Sequence, residues 1–444
     1  MVKRLQSYYQ LIPEKIMEKL PELEVWFQEI PGYSMDNLKE LISIIAVHTW
    51  KDDESWTPLK MTYLRNIVPQ ADQYITKLRF LQIIERSGYS IIGLASFKYR
   101  FTLANKSIYK KLPLNNAKLL RRIENFQQSQ KKRNSKKYTG QNEFLRHLKI
   151  EPEALEYIKT ISDEEKFNYA FSSITRIMNG DIIYKVDKTS GRFHSNLTNM
   201  PKGLRRFVRI NGNALVNIDV KNCQPYLSTI LLTNPKKVAG FTKYAPFSML
   251  LENLQIEQTE DVKRYVSLVI NGQLYEYLWN EFTFRGLIFK SRDDVKKQVL
   301  KILFSRNANN SPARKIFKEL FPVVHQVFSK IRGNEKGSHF ENFKRFPIHL
   351  QRIESHIILN LILNRINKEF PGTITITIHD SIMTNNNSIH INRVQKIMVE
   401  EFSNFVGFAP KIKVEGGKEE EKKEEEKSEE ERERVRKVGI PIPC

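Results

Sequence analysis

The chain has 444 residues, 40% of them hydrophobic, and a formal charge of +22. That is apolar material for two or three domains with cores, and it excludes a disordered body. Two cysteines, Cys223 and Cys444, exclude a disulfide framework and a Cys/His zinc cluster, and no apolar run approaches the roughly 20 residues that span a bilayer.

The first ten residues lack an apolar secretory region, so a reducing, cytoplasmic setting beside a nucleoid or replicon is expected. From Glu415 onward the chain holds 11 Glu against 8 Lys and Arg, so the positive excess lies in the body. Such an excess favours a polyanionic partner, nucleic acid most simply. A Lys-, Asn- and Ile-rich coding bias would produce the same count.

Residues 1–35 read as an N-terminal helical segment. Residues 36–105 read as a small domain. Leu38, Leu41, Ile44 and Ile45 have helical spacing. Thr57 and Pro58 look like an N-cap followed by Pro at the first helical position, opening a helix over 59–68. A helix over 70–85 carries Ile75, Leu78 and Leu81 on one face and leaves Gln73, Thr76, Lys77 and Arg79 to solvent. A strand from Ile83, turn residues Gly88 and Gly93, and a strand ending at Phe101 follow. This order resembles a winged helix-turn-helix, in which Lys77 and Arg79 would face the major groove and the hairpin would touch phosphates. Such modules also bind proteins.

Residues 106–188 form a basic helical stretch that includes Lys118, Arg121, Arg122, Lys131, Lys132, Arg133, Lys136 and Lys137. It reads either as a solvated linker or as a thumb-like element gripping a nucleic-acid backbone. Phe144, Leu145 and Leu148, then Ala154, Leu155 and Ile158, read as helices. Strands and helices are expected to alternate from Thr189 to about 412. Residues 413–444 are a Glu/Lys/Arg low-complexity tail, a lone charged helix or disordered.

Three features within 189–412 carry chemistry. An apolar run from Leu215 to Ile218 ends at Asp219. A period-two run, with Ile374, Ile376 and Ile378 alternating with Thr373, Thr375 and Thr377, ends at His379, Asp380 and Ser381. Between them Arg292, Lys296, Leu300 and Phe304 recur every four residues, a helical stripe that is cationic and then apolar. Two carboxylates on neighbouring strands suit two divalent cations, and the basic helix suits a triphosphate. Each feature alone has an ordinary reading: a strand-end residue, a capping pair, a solvated basic face.

Thr189, Gly191, Arg192, Ser195, Asn199 and Pro201 resemble the Thr-Gly-Arg stretch that precedes motif A in family A DNA polymerases. The resemblance implies that Arg192, His194, Asn199 and Arg205 grip the primer-template. Asp219 matches motif A, although the usual Ser-Gln-Ile-Glu wording after it is missing. Asn271, Gly272, Tyr275 and Glu276 resemble a fingers segment. Arg292, Lys296 and Phe304 match the nucleotide-binding register that the family shares with single-subunit phage-type RNA polymerases, with Phe304 and Ser305 where Tyr-Gly is usual. Gln351 resembles a minor-groove-reading Gln. His379, Asp380 and Ser381 resemble motif C in its RNA polymerase wording, with His379 by the primer terminus.

These partial matches cover 189–400 in order. They imply an α+β right-hand polymerase with an antiparallel palm sheet, helical fingers and a helical thumb-like region. Palm and fingers would occupy 189–412, behind the winged-helix-like domain. Two Mg²⁺ ions (or Mn²⁺) would lie on Asp219, the Val220 carbonyl and Asp380. The implied partners are primer-template DNA or a DNA–RNA hybrid and a dNTP or NTP, with the protein a monomer and no membrane. No paired Asp-x-Glu signature precedes residue 180, so no proofreading domain is expected. Three readings stay open: a DNA polymerase of a phage, plasmid or mobile element; a single-subunit RNA polymerase or primase; and a non-enzymatic DNA-binding protein on a decayed palm.

Overall fold

The structure is a computed structural model that describes residues 8–48, 56–87, 96–133, 138–333 and 344–416. They form two compact units: residues up to 185 with 194–214, and residues 186–193 with those from 215 onward.

The first unit opens on a strand, not a helix. Tyr9–Pro13 pairs antiparallel with Tyr109–Pro113, and its Leu11 and Ile12 are fully buried. Helices Glu14–Phe27 and Met35–His48 follow, and Leu38, Leu41, Ile44 and Ile45 are core residues, as their spacing predicts. Thr57 caps no helix. It is buried in a short strand, opposite Tyr99, and the next helix, Met61–Ile67, begins after Lys60.

The helix expected to reach residue 85 is Ala71–Phe80. Gln82 adopts φ +53°, which ends it. The freed carbonyls of Lys77 and Leu78 accept the N–H groups of Leu81 and Ile83. Ile84–Ser87 then runs as a strand against Lys98–Phe101. The turn glycines Gly88 and Gly93 lie outside the described residues, as do Lys136, Lys137 and the tail from 417. On the Ala71–Phe80 helix, Lys77 is not a free cation: Glu29 holds its ammonium at 2.5 Å. Arg79 is half-buried. Helical spacing also misled at Leu148, which belongs to the strand Leu148–Ile150, paired with Val208–Ile210.

Glu40, on the Met35–His48 helix, is a buried carboxylate that sequence reasoning did not single out. Tyr8 Oη donates to its Oε1 at 2.8 Å and Gln10 Nε2 to its Oε2 at 3.0 Å. Burial pushes its pKa from an ordinary 4.5 up to about 7, against those two hydrogen bonds. The folded state therefore holds this proton more tightly than the unfolded chain. Its stabilising contribution is complete below about pH 4.5 and is lost as pH rises through about 7. That interval corresponds to about 3 kcal/mol. Glu40→Gln should raise stability by that order at pH 8 and by little at pH 4, read by urea unfolding across pH. A variant whose stability difference is flat with pH would contradict this assignment.

The second unit is built around four antiparallel segments. The strand Asn213–Val220 pairs with Ser381–Asn385 on one side and with Ile412–Glu415 on the other, and Ile376–Ile378 pairs outside Ser381–Asn385. Among the described residues, 221–375 contain no strand, so the expected alternation is replaced by a long helical insertion. Its core is aromatic: Phe317, Phe321 and Phe328 surround Tyr265 at centroid distances of 6.2, 5.6 and 5.9 Å.

Tertiary cover and backbone geometry modify two local patterns here. Thr373, Thr375 and Thr377 are as buried as the isoleucines between them. The run is covered on both faces, and the alternation does not mark a solvent side. In the helix after Gln351, residues His356–Ile362 adopt π-helical turns. Bonding to i+5 breaks the four-residue spacing of the buried Ile353 and Ile357: Leu361 is half-buried, and Ile362 is fully buried. No helix of the described residues is long and apolar enough to cross a membrane.

Candidate active site

Asp219 is placed by the alternation of its strand. Val216, Ile218 and Val220 are buried on one face, while Asn217 and Asp219 occupy the other and are half-buried. The β-branched run favours the extended backbone. Asp219 lies directly across from Ser381 on one neighbour and from Lys413 on the other. Asp380 immediately precedes Ser381, in the two-residue turn that joins Ile376–Ile378 to Ser381–Asn385. The register thus sets Asp380, at the end of the turn, diagonal to Asp219 on the adjacent strand. His379, the first residue of that turn, has φ +57°. Glycine usually fills this position, and a side chain there costs on the order of 1 kcal/mol. The buried rungs Ile376–Met383 and Thr377–Ile382 hold the turn in place.

After Val220, Asn222 takes φ +55° and turns the chain into the helix Cys223–Thr233. The Cys223 thiol hydrogen-bonds to the Asp380 carboxylate. Burial raises the Asp380 pKa, opposed by its own backbone hydrogen bond, Arg192, Lys296 and the thiol. Burial also pushes the Cys223 thiol well up, reinforced by the charges of Asp380, Glu354 and Asp219. Three carboxylates therefore act on one buried thiol.

Arg192 sits in a tight loop. Asp187 accepts from the backbone N–H groups of Thr189 and Ser190 and from the Ser190 hydroxyl, and Gly191 supplies a φ of +76°. The loop turns the guanidinium inward. Nε and Nη2 fork onto Glu354 Oε1 and Oε2, both at 2.8 Å. Gln224 Nε2 also donates to Oε2, at 2.6 Å. Glu354 is fully buried, so its charge needs these partners. Burial, then the Asp380 charge, push its pKa to about 7, while Arg192 and Gln224 hold it down. The cation expected on the primer-template backbone is thus engaged inside its own unit. His194, Asn199 and Arg205 belong to the first unit. There the Asn199 carbonyl accepts from Tyr169 Oη, and Arg205 donates to the Met200 carbonyl at 3.4 Å.

The helix Arg292–Phe304 has the span its stripe predicts. The Ser291 hydroxyl caps it by accepting from Asp294 N–H at 3.2 Å, and Asp293 and Asp294 suit the positive end of its dipole. Val295, Val299, Ile302 and Leu303 face the core, so Arg292, Lys296, Leu300 and Phe304 form the outer, progressively covered stripe. Arg292 pairs with Glu276 at 2.6 Å, with both side chains about half exposed. An exposed pair of this kind is worth about 0–1 kcal/mol and yields to a stronger anion. Lys296 is exposed, and its charge acts on Asp380. Phe304 packs edge-on against Phe346 with centroids 5.5 Å apart.

Glu354 and Gln224 are the functional candidates that sequence reasoning passed over. Their signal was available: Glu354 occupies a core position of a helix, between buried Leu350 and Ile357 at spacings of four and three. Gln351, three residues before Glu354 on the same helix, is half-buried.

No family model matches this chain, and no curated protein matches it. Among solved structures it is similar to the POL domain of Pol1 from M. smegmatis in complex with DNA primer-template and dNTP. The TM-score is 0.31 and the identity 14%, over 60% of this chain and 55% of that one. Similarity at that level carries no functional conclusion.

Proposed function

We propose that this chain is a template-directed nucleotidyltransferase, most simply a DNA polymerase acting by two-metal phosphoryl transfer. One observation carries the reading. Asp219 lies on a strand, Asp380 ends the turn that opens its antiparallel neighbour Ser381–Asn385, and the cationic stripe of the Arg292–Phe304 helix reaches Asp380 through the charge of Lys296. In this reading the four strands are a palm, the long helical insertion holds fingers, and primer-template and dNTP are the partners. The winged-helix-like segment of the first unit contributes DNA contact.

Among the described residues no group of three or more His, Cys, Asp or Glu side chains is arranged to hold a metal. The donor set is instead two carboxylates and a backbone carbonyl, all hard oxygens that fit Mg²⁺ or Mn²⁺. The charges of Asp219, Asp380 and Glu354 all act on the Cys223 thiol, and of these Glu354 is already paired with Arg192, so a cation would compensate the two aspartates. Asp219, Asp380 and the Val220 carbonyl would hold the ions, which would supply activation of a 3′-hydroxyl and neutralisation of the leaving pyrophosphate. Arg292 would exchange Glu276 for triphosphate oxygens, and the exposed Lys296 would add a second cation. Phe304 would border base and sugar.

The test is extension of a labelled primer-template with Mg²⁺, comparing dNTPs with NTPs. Incorporation of dNTPs is the expected result. Incorporation of NTPs alone moves the assignment to RNA synthesis or priming, which the Ser381 wording favours. No product from either pool, with Mg²⁺ or Mn²⁺, with or without primer, leaves a DNA-binding protein without catalysis.

A further inference from the structure

Two arginines in the second unit are buried where no carboxylate meets them. Arg314 lies on the helix Pro312–Leu320 and is 4% exposed; Arg332 ends the helix Pro322–Arg332 and is 2% exposed. Among the described residues neither guanidinium forms an ion pair. Burial lowers the pKa of both, that of Arg332 to about 9, with the charge of Arg314 adding to the effect. Two like charges buried together are costly, and the structure shows where they are used.

Both point at the C-terminal end of the Arg292–Phe304 helix. Arg314 Nη2 donates to the carbonyls of Ile302 at 2.8 Å and Ser305 at 3.2 Å and to the Ser305 hydroxyl at 2.9 Å, and Nη1 donates to the Arg306 carbonyl at 2.6 Å. Arg332 Nη1 donates to the carbonyls of Leu303 at 2.7 Å and Ile302 at 3.2 Å. Its Nε donates to Asn307 Oδ1 at 2.7 Å. Asn307 Nδ2 in turn reaches the carbonyls of Ser329 and Gly333 at 3.0 and 2.9 Å. Carbonyls that a helix end leaves unsatisfied are thus taken by two fixed forks, and the Ile302 carbonyl is shared by both. Ordinary capping needs one glycine and no buried charge. Positive charge at this end also matches the helix dipole.

A helix of 13 residues is about 20 Å long. A swing of about 10° at the anchored end displaces the first turn, where Arg292 and Lys296 stand, by about 3 Å. We propose that Arg314 and Arg332 are positioning residues: a two-guanidinium lock that fixes the Arg292–Phe304 helix and thereby sets the affinity for the incoming nucleoside triphosphate. The nucleotide part rests on the polymerase reading above; the lock itself does not.

The experiment uses the full chain with Arg332→Met and Arg314→Met, read two ways. Amide hydrogen exchange over residues 301–305 reports the lock. Primer-extension kinetics report the nucleotide. The expected result is faster exchange at that turn and a KM for the nucleotide raised roughly fivefold or more, with kcat held within about twofold. A purely structural role would lower the folded fraction, and so the apparent kcat, and leave KM alone. Arg332→Lys should restore KM only in part, because an ammonium cannot reproduce the fork. If Arg332→Met fails to fold, Asn307→Ala removes one acceptor of the lock and should shift KM and exchange in the same direction. Unchanged exchange over 301–305 overturns the lock. Faster exchange with an unchanged KM overturns its link to the nucleotide. A wild-type protein that incorporates no nucleotide overturns the polymerase reading and the affinity claim together, and exchange then decides the lock by itself.

Discussion

Asp380→Asn is expected to abolish nucleotide incorporation while making the protein more stable. Asparagine keeps the shape of the side chain, and its amide oxygen still accepts from the Cys223 thiol. It removes the charge that a divalent cation needs and that Lys296 faces. Loss of an electrostatic group of this kind lowers kcat by on the order of 10²–10³-fold or more. The stability effect has the opposite sign. Burial raises the Asp380 pKa, so the folded state disfavours the ionised carboxylate. That penalty is absent below the unfolded carboxylate pKa and is felt as pH rises through the raised value. The variant escapes it, so its gain in Tm should grow from acid to neutral pH. Asp219→Asn should match the loss of incorporation. Fluorescence-detected melting and primer extension on the same preparations give both readouts. Wild-type incorporation by either variant would remove the catalytic assignment, and a Tm lowered by Asp380→Asn would show that its charge is stabilising.

The parts of this site that were legible in the sequence are those written in local pattern. The apolar run before Asp219, the four-residue stripe of the Arg292–Phe304 helix and the turn at His379 and Asp380 each follow from short-range spacing. Patterns failed where tertiary cover overrode them. The threonines of 373–377 alternate with isoleucines and are as buried as they are. The π-helical turns break the four-residue spacing of buried positions after Ile357. For Arg192 the sequence did not show the direction of its side chain, because Glu354 lies 162 residues away. The buried arginine lock has the same character: its forks join Ile302, Leu303 and Ser305 to residues from two later helices. Contacts between separate elements leave no period in a sequence.

The Arg192–Glu354 pair gives the second large effect, and it is asymmetric. Removing one partner of a buried ion pair typically costs 3–5 kcal/mol, because the other charge is left unpaired. The two partners differ in how they respond. Glu354→Leu leaves a guanidinium that stays charged at any accessible pH, and leaves the Gln224 amide without its acceptor. Its own stability should carry no Glu354 titration between pH 6 and 9, whereas wild type loses stability as pH rises through about 7, so its cost, about 3–5 kcal/mol at pH 6, should shrink towards pH 9. Arg192→Met leaves a carboxylate whose pKa, already raised to about 7 by burial, rises further once its cation is gone. At pH 6 Glu354 then takes up a proton and the cost is small. Because the folded pKa lies above the unfolded one, stability falls as pH rises through it, so Arg192→Met should lose stability steadily towards pH 9. The double variant Arg192→Met/Glu354→Leu should recover most of what Glu354→Leu loses, since a packed apolar pair of similar volume is neutral or better than the ions. Urea unfolding of the four proteins between pH 6 and 9 gives the full double-mutant cycle. Parallel pH profiles for the two single variants would mean that Glu354 is not the group that takes up the proton. A double variant no more stable than Glu354→Leu would mean that the pair contributes more to the fold than its charges cost.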